Sequence, residues 1–206
     1  MDFQILISFV LATAVLSFSP GPDNIFVLVQ SATHGKKTGM AVVLGLMTGC
    51  LIHTSLVAFG LSAFIQSIKS LYFILKLFGA AYMLNLAIRV YKSDLNFNKD
   101  HKKFKFDGFY ELFKQGFIMN VLNPKVSVFF LAFFPAFLFS ETMSLYKQFY
   151  VLGFLFILTS FSVFSCYVFL SSYFSKLFLK SPQRQLLLKR LQIGFFIGIA
   201  VVILRG

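Results

Sequence analysis

Two charged residues stand inside long apolar stretches of the sequence, and each directly follows a proline. Asp23 follows Pro22, and Lys125 follows Pro124. Counted from Leu112, Lys125 lies about 20 Å along its stretch at the helical rise, too deep for its ammonium group to reach the nearer membrane surface easily. A charge at such depth is costly unless it is paired or hydrated. We therefore expect both charges to face one interior, either as an ion pair that only joins helices or as a pair that also binds substrate or exchanges a proton.

The neighbouring prolines predict breaks in two helices. Proline has no amide hydrogen, so it leaves unpaired the carbonyl group four residues earlier. The carbonyl groups concerned belong to Leu16 before Pro20, Phe18 before Pro22, and Asn120 before Pro124. Within a bilayer, such groups are tolerated only when they are buried in protein or face a watery cavity. Each break is either a packing kink filled by a polar side chain or part of a binding site, and two matched breaks beside charges favour the site.

The candidate substrate-binding residues are those at the two breaks: Pro20, Gly21, Pro22, Asp23, Asn24, Asn120, Asn123, Pro124 and Lys125. Among them, Asp23 is also a candidate for proton coupling because it is the carboxylate at the predicted site. Half-helix ends carry partial charges that suit a zwitterionic substrate.

His53 and Lys76 are two further polar residues in apolar stretches. His53 follows Gly45 and Gly49, whose spacing lets helices approach closely. A histidine on such a face commonly hydrogen-bonds across the interface, but it titrates near neutral pH and is therefore a second candidate proton carrier. Lys76 either extends to the membrane surface or is accessory to the site. Gly194 and Gly198 form a second pair of this kind, a candidate packing or dimer face.

The elements that position these residues are predicted to be transmembrane helices. Of the 206 residues, 58% are hydrophobic and 13% are charged, whereas soluble proteins have about 25% charged residues. A spanning helix needs about 20 apolar residues. Six stretches are long enough, which predicts an all-α integral membrane protein of about six helices: 4–33, 39–65, 69–91, 112–139, 148–174 and 186–204.

Basic residues predict the orientation of these helices. Lysine and arginine are concentrated in alternate connections, and basic connections remain in the cytoplasm, so both termini are expected on the periplasmic side. One transport domain, 1–206, then contains a three-helix repeat at 1–91, a basic cytoplasmic loop at 92–110 and a second repeat at 111–206. An odd number of helices inverts the second repeat relative to the first, and the first helix of each repeat is the one broken by proline.

The net charge of +12 lies mainly in these connections, which favours contact with anionic lipid headgroups and not with nucleic acid. The sequence has no nucleophile motif, phosphate loop or metal-ligand spacing, so we expect no enzymatic activity, cofactor or bound metal. Cys50 and Cys166 both lie in apolar stretches, and no disulfide is implied.

Four motifs occur at residues 19–23, 45–53, 76–83 and 116–125. In their order and spacing they resemble the LysE/RhtB family of amino-acid exporters over essentially the whole chain. The resemblance implies a homodimer in the bacterial inner membrane that exports amino acids or close derivatives in exchange for protons. Residues 19–23 resemble the threonine branch and residues 45–53 the homoserine branch, which favours a neutral substrate.

Two positions depart from the family pattern. Many members have asparagine at the position of Asp23, and some have aspartate at the position of Cys50, so the proton carrier is not fixed by the resemblance. Two alternatives to amino-acid efflux remain: a membrane structural or assembly protein in which the buried charges only hold helices together, and a metal-ion exporter. A metal exporter calls for several intramembrane carboxylates, and only Asp23 is available.

Overall fold

The computed structural model describes residues 2–19, 21–61, 69–92, 108–174 and 182–205. These residues are almost entirely helical and contain no β-strand. Nine α-helices follow in chain order: α1 Phe3–Phe18, α2 Pro22–His34, α3 Lys36–Leu56, α4 Lys69–Lys92, α5 Phe109–Val121, α6 Pro124–Val128, α7 Leu145–Phe169, α8 Ser171–Phe174 and α9 Pro182–Arg205. A π-helical turn, Val57–Leu61, extends α3. A π-helical turn, Phe129–Phe133, and a 3-10 turn, Phe134–Phe137, extend α6.

Both stretches that were predicted to break at proline consist of two helices. α1 and α2 are inclined at 63°, and α5 and the helical segment that begins with α6 are inclined at 51°. Pro22 and Pro124 occupy the first turn of α2 and α6, where the missing amide hydrogen breaks no helical bond. Asn123 caps α6 by accepting a hydrogen bond from the Lys125 amide at 3.0 Å. Pro20 lies outside the described residues.

In the described part of the chain, two single helices are long and apolar enough to cross a membrane: Lys36–Gly60, which is α3 with part of its π-helical turn, and α7. Each bent pair adds one more candidate span, which gives up to four by length and composition. α4 and α9 contain 24 residues each and pack against each other. The protein is therefore a multi-pass helical membrane protein, and six spans in two inverted repeats stay a prediction. Most of the predicted basic loop, residues 93–107, lies outside the described residues.

α3 and α5 make the most extensive helix–helix contact in the described part of the chain. A Cβ atom on Gly45 would collide with the backbone of Phe113, and one on Gly116 would collide with the backbone of Val42. Without side chains at these two positions, the backbones can touch, and close packing is what drives helix association in lipid. The predicted close approach at Gly45 is confirmed, and it joins the first half of the chain to the second.

Phenylalanine rings form most of the core around the segment that follows α6. Phe130 and Phe134 lie 4.2 Å apart between ring centroids, and Phe129 and Phe133 lie 4.3 Å apart. Phe9 from α1 packs on the same cluster. All five rings are fully or almost fully buried. This Phe cluster also contacts Phe156, near the middle of α7.

The side chain of Gln148 holds the short connection between the Phe cluster and α7 in place through hydrogen bonds. Gln148, 1% exposed, accepts hydrogen bonds from the amides of Phe139 and Ser140 at 2.8 and 3.0 Å. Its amide nitrogen donates to the carbonyl groups of Ser140 and Met143, both at 2.8 Å. The Asp2 amide donates to the Phe139 carbonyl at 2.9 Å. The start of the chain and the start of α7 therefore lie at the same end of the molecule.

Candidate functional site

Asp23 is buried at the break between α1 and α2, with 8% of its surface exposed. Its Oδ2 atom accepts a hydrogen bond of 2.7 Å from Asn123 Nδ2, across the boundary between the two halves of the chain. Its Oδ1 atom is buried and has no hydrogen-bond partner among the described residues. Half of this carboxylate is therefore available to a ligand.

Lys125 is partly buried at the other break. Its Nζ atom donates a hydrogen bond of 3.3 Å to the carbonyl group of Ser19. Within the described part of the chain, no N···O distance of 4.0 Å or less joins Lys125 to Asp23. The direct ion pair considered from the sequence is thus absent. Instead, each charge is bonded to a neutral group at the opposite break, and both line one cavity.

The two charges occupy matching positions, because Asp23 and Lys125 are each the second residue of a half-helix that begins with proline. The N-terminus of a helix carries a partial positive charge, which stabilises an anion such as Asp23. The same partial charge disfavours a cation at Lys125, so this lysine is not placed there to stabilise its helix.

Side chains from other helices satisfy two of the three carbonyl groups predicted to be freed by proline. Tyr167 on α7 donates its hydroxyl hydrogen to the Phe18 carbonyl at 3.1 Å. His53 Nε2 lies 3.2 Å from the Asn120 carbonyl, which can only accept, so this nitrogen carries the hydrogen. α3 thus caps the break in the second half, and α7 caps the break in the first.

The third carbonyl group, that of Leu16, accepts a hydrogen bond of 3.1 Å from the Ser19 amide in the turn that ends α1.

Tyr167 was not among the residues predicted from the sequence. A tyrosine hydroxyl on an apolar helix needs a hydrogen-bond partner, and that was the available signal, but the identity of the partner depended on how α7 packs against α1.

Polar side chains beside the charges are held by further hydrogen bonds. Asn24 Nδ2 donates to the Ser17 carbonyl at 2.6 Å. The Asn120 side chain contacts Cys50 Sγ at 3.5 Å, and a Cβ atom at Gly49 would lie 2.8 Å from that of Asn120. Glycine at this position therefore lets Asn120 reach α3.

A cavity of about 30 Å³ lies between these groups. Its polar lining consists of Ser17, Asp23, Asn24, Cys50, Asn120, Lys125 and Ser160, and its apolar lining of Leu16, Leu46, Met47, Val126, Phe156 and Phe164. A space of this size holds about one or two water molecules. The site is therefore contracted in this conformation, and binding of a larger solute requires the surrounding helices to separate.

The remaining predicted residues lie at or outside the edge of this arrangement. Gly21 is extended and immediately precedes α2, and a Cβ atom there would lie 3.4 Å from Lys125 Nζ. Pro124 begins α6. Lys76 is on α4, but its side chain lies outside the described residues, as does Pro20. The structure thus brings together Asp23, Asn24, Asn120, Asn123 and Lys125, while His53 contacts the site through the Asn120 carbonyl.

The fold and the site define a multi-pass helical membrane protein with a buried, charge-lined cavity between two bent helix pairs. The sequence matches the LysE type translocator family over residues 14–206, and the chain belongs to this family. The match confirms the resemblance inferred from the four motifs.

Several bacterial proteins are similar to this chain over about three quarters of its length. The homoserine/homoserine lactone efflux protein of Salmonella typhimurium is 33% identical over 157 residues, which cover 74% of this chain and 73% of the relative. The protein of the same name in Salmonella typhi gives the same values. A membrane protein of Vibrio cholerae is 26% identical over 153 residues, which cover 74% of each chain. No solved structure matches the chain.

Proposed function

We propose that this protein exports a neutral amino acid or a close derivative, such as threonine or homoserine, across the bacterial inner membrane in exchange for protons. The observation that carries the proposal is the placement of Asp23 and Lys125 at matching positions on one cavity, with Asp23 Oδ1 unpartnered. Membership of the translocator family and the efflux proteins among the relatives support it. The relatives' name makes homoserine the first substrate to test.

The charges of the cavity suit a zwitterion. The substrate carboxylate would bind Lys125 Nζ and the N-terminal end of α2, where the helix carries a partial positive charge. The substrate ammonium group would bind Asp23 Oδ1. Asp23 is the one carboxylate among the described lining residues, so a second cationic group, as in lysine, would find no partner there. This pattern favours neutral substrates.

Competition between the substrate ammonium group and a proton for Asp23 would couple export of the substrate to entry of protons. A proton that arrives from the periplasm neutralises the carboxylate and releases the ammonium group, and loss of that proton to the cytoplasm restores the binding site. One proton moving inward across 100 mV supplies about 2.3 kcal/mol, enough for roughly fifty-fold accumulation. His53 is the second candidate carrier. Its Nε2 atom is bonded to the Asn120 carbonyl, so it would act through Nδ1 or after that bond breaks.

Alternating access requires this cavity to open to each side in turn. The Phe cluster packs on Phe156, which lines the cavity, and its segment continues to the connection before α7, which the distribution of basic residues predicts to be periplasmic. The π-helical turn Phe129–Phe133 lies within that cluster, and such turns are frequent at functional sites. We propose that this segment moves when substrate leaves.

The test compares Lys125→Ala with Lys114→Ala, which removes an exposed lysine on α5. Loss of a hydrogen bond to a charged group weakens binding by about 10- to 100-fold. We expect Lys125→Ala to slow homoserine export by that factor at equal amounts of inserted protein, and Lys114→Ala to leave it unchanged. Full export by inserted Lys125→Ala protein would contradict the proposed site.

One observation favours the alternative of a structural membrane protein. The bonds from Asn123 to Asp23 and from Lys125 to Ser19 tie the two halves together. If joining helices were their whole role, the same Lys125→Ala variant would insert poorly or unfold more easily, and wild-type cells would export none of the amino acids tested. Export by the wild type, with normal insertion of the variant, separates the two functions.

A further inference from the structure

Two serine side chains face the same cavity as the charges. Ser17 on α1 is 6% exposed and Ser160 on α7 is 2% exposed, and both line the cavity. Their Oγ atoms are 2.9 Å apart. A buried hydroxyl pair at this place either fastens α1 to α7 or contacts the solute that enters the cavity.

The hydrogen-bonding capacity of this pair is not used up by the protein. Each hydroxyl has one hydrogen to donate and two lone pairs to accept with. Their mutual bond uses one hydrogen and one lone pair, and neither Oγ atom makes another hydrogen bond within the described residues. One hydroxyl hydrogen and three lone pairs are therefore left over, in a place where an unmet donor is costly.

Three other serines in the helices satisfy their hydroxyl groups locally. Ser31, Ser127 and Ser162 each donate to the carbonyl group four residues earlier in the chain, at 2.6, 3.1 and 2.9 Å. That local bond is the usual way for a serine hydroxyl in an apolar helix to be satisfied. Ser17 and Ser160 do not make it, and the remaining hydroxyl hydrogen stays available at the cavity.

We infer that Ser17 and Ser160 form the side-chain subsite of the substrate cavity and select neutral amino acids whose side chain carries a hydroxyl or similar hydrogen-bonding group. This inference rests on the proposed function. Asn24 connects the two parts of the site, because it adjoins Asp23 in sequence and donates to the Ser17 carbonyl at 2.6 Å. Because Asp23 and the serine pair line the same cavity, a substrate whose ammonium group is bound to Asp23 would have its side chain in the same space as the serine pair.

The rest of the wall explains why the pair would control selectivity. Leu16 adjoins Ser17, and Phe156 and Phe164 lie four residues before and after Ser160 on α7. All three line the cavity and offer no hydrogen bonds from their side chains. A site that binds a hydroxyl rejects an apolar analogue of the same size, because the protein's own polar groups are then left unpaired. Without the serine hydroxyls, the wall would be apolar and would distinguish poorly between a substrate with a hydroxyl group and its apolar analogue.

The experiment uses L-homoserine and L-norvaline, which differ by a hydroxyl in place of a methyl group. Export of each from preloaded cells is measured for the wild type, Ser17→Ala, Ser160→Ala and the control Ser162→Ala, whose serine is exposed two residues further along α7. We expect the homoserine-to-norvaline ratio of export rates to fall about two- to tenfold in Ser17→Ala and Ser160→Ala. The control is expected to keep the wild-type ratio. Amounts of inserted protein are matched by immunoblot.

The outcomes separate this inference from the function on which it rests. A wild type that exports neither compound overturns the proposed function and the subsite with it. Wild-type export of homoserine, together with an unchanged ratio in both serine variants, overturns the subsite alone. An equal loss of both substrates shows a role in joining α1 to α7 and also overturns the subsite.

Discussion

At the scale of single residues, the site is a set of opposite charges kept apart by neutral groups. Asn123 binds one oxygen of Asp23, and the Ser19 carbonyl binds the ammonium group of Lys125. A direct ion pair would satisfy both charges with each other and leave little for a ligand. In the observed arrangement, each charge keeps unused capacity, as a zwitterion site requires.

The variant Asp23→Asn tests, at the scale of single residues, whether Asp23 carries the proton. Asparagine keeps the size and can still bind an ammonium group through its oxygen, but it cannot carry a proton. We expect exchange of labelled homoserine across the membrane to continue while proton-driven export falls. One proton at 100 mV supplies roughly fifty-fold accumulation. In the variant, the homoserine concentrations on the two sides should instead become nearly equal. Both quantities can be measured in vesicles with an imposed gradient.

His53→Gln serves as the matched variant, because glutamine can still donate to the Asn120 carbonyl. If accumulation survives in Asp23→Asn and disappears in His53→Gln, His53 is the carrier and the assignment to Asp23 is wrong. If both variants accumulate as the wild type does, neither residue couples transport to protons.

At the scale of elements, each half of the chain completes the broken helix of the other. His53 on α3 caps the break between α5 and α6, and Tyr167 on α7 caps the break between α1 and α2. The α3–α5 contact at Gly45 and Gly116 sets the distance across which the first of these caps forms. Packing of these helices and geometry of the site are therefore linked.

Gly45→Leu tests this link, because its side chain would occupy the place of the α5 backbone. Overpacking of this kind destabilises proteins by about 1–3 kcal/mol, occasionally more. We expect a lower unfolding midpoint in detergent and reduced export. Gly60→Leu is the control, since Gly60 is exposed in the π-helical turn after α3 and a Cβ atom there meets nothing within 4 Å. A Gly45→Leu protein as stable as this control would show that α3 and α5 do not touch as described.

At the scale of the whole molecule, the arrangement of helices decides which side each loop faces. The Asp2 amide bonds to the Phe139 carbonyl, so the start of the chain lies beside the connection before α7. The connection between α2 and α3 contains Lys36 and Lys37, which predict a cytoplasmic position. If the protein is oriented as its basic residues predict, these two connections lie on opposite sides of the membrane.

Cysteine labelling tests the orientation. In a variant with Cys50→Ala and Cys166→Ser, single cysteines are placed at Glu141 and Lys37, both exposed. We expect Glu141→Cys to react with a membrane-impermeant maleimide in intact cells, and Lys37→Cys to react only after the cells are permeabilised. The reverse pattern would place the termini in the cytoplasm and invert the proposed direction of the transport cycle.

The sequence alone determined the class of the protein and the positions of its breaks. Apolar stretches long enough to span a bilayer, interrupted by Pro22 and Pro124, predict bent helices, because proline cannot donate the hydrogen bond that a continuous helix would need at its position. The glycines at positions 45 and 49 likewise indicated a close helix contact. These features depend on local chemistry and on the spacing along one chain, which are visible without coordinates.

Only the tertiary structure decided which groups meet. The partners of the freed carbonyl groups, His53 and Tyr167, are distant in sequence from Asn120 and Phe18, and many polar side chains could have served. The hydrogen bond from Asn123 to Asp23 and the pairing of Ser17 with Ser160 depend on how helices pack and rotate. An apolar sequence fixes that helices lie in lipid, but their contacts are set by shape and hydrogen bonding between surfaces far apart in the chain.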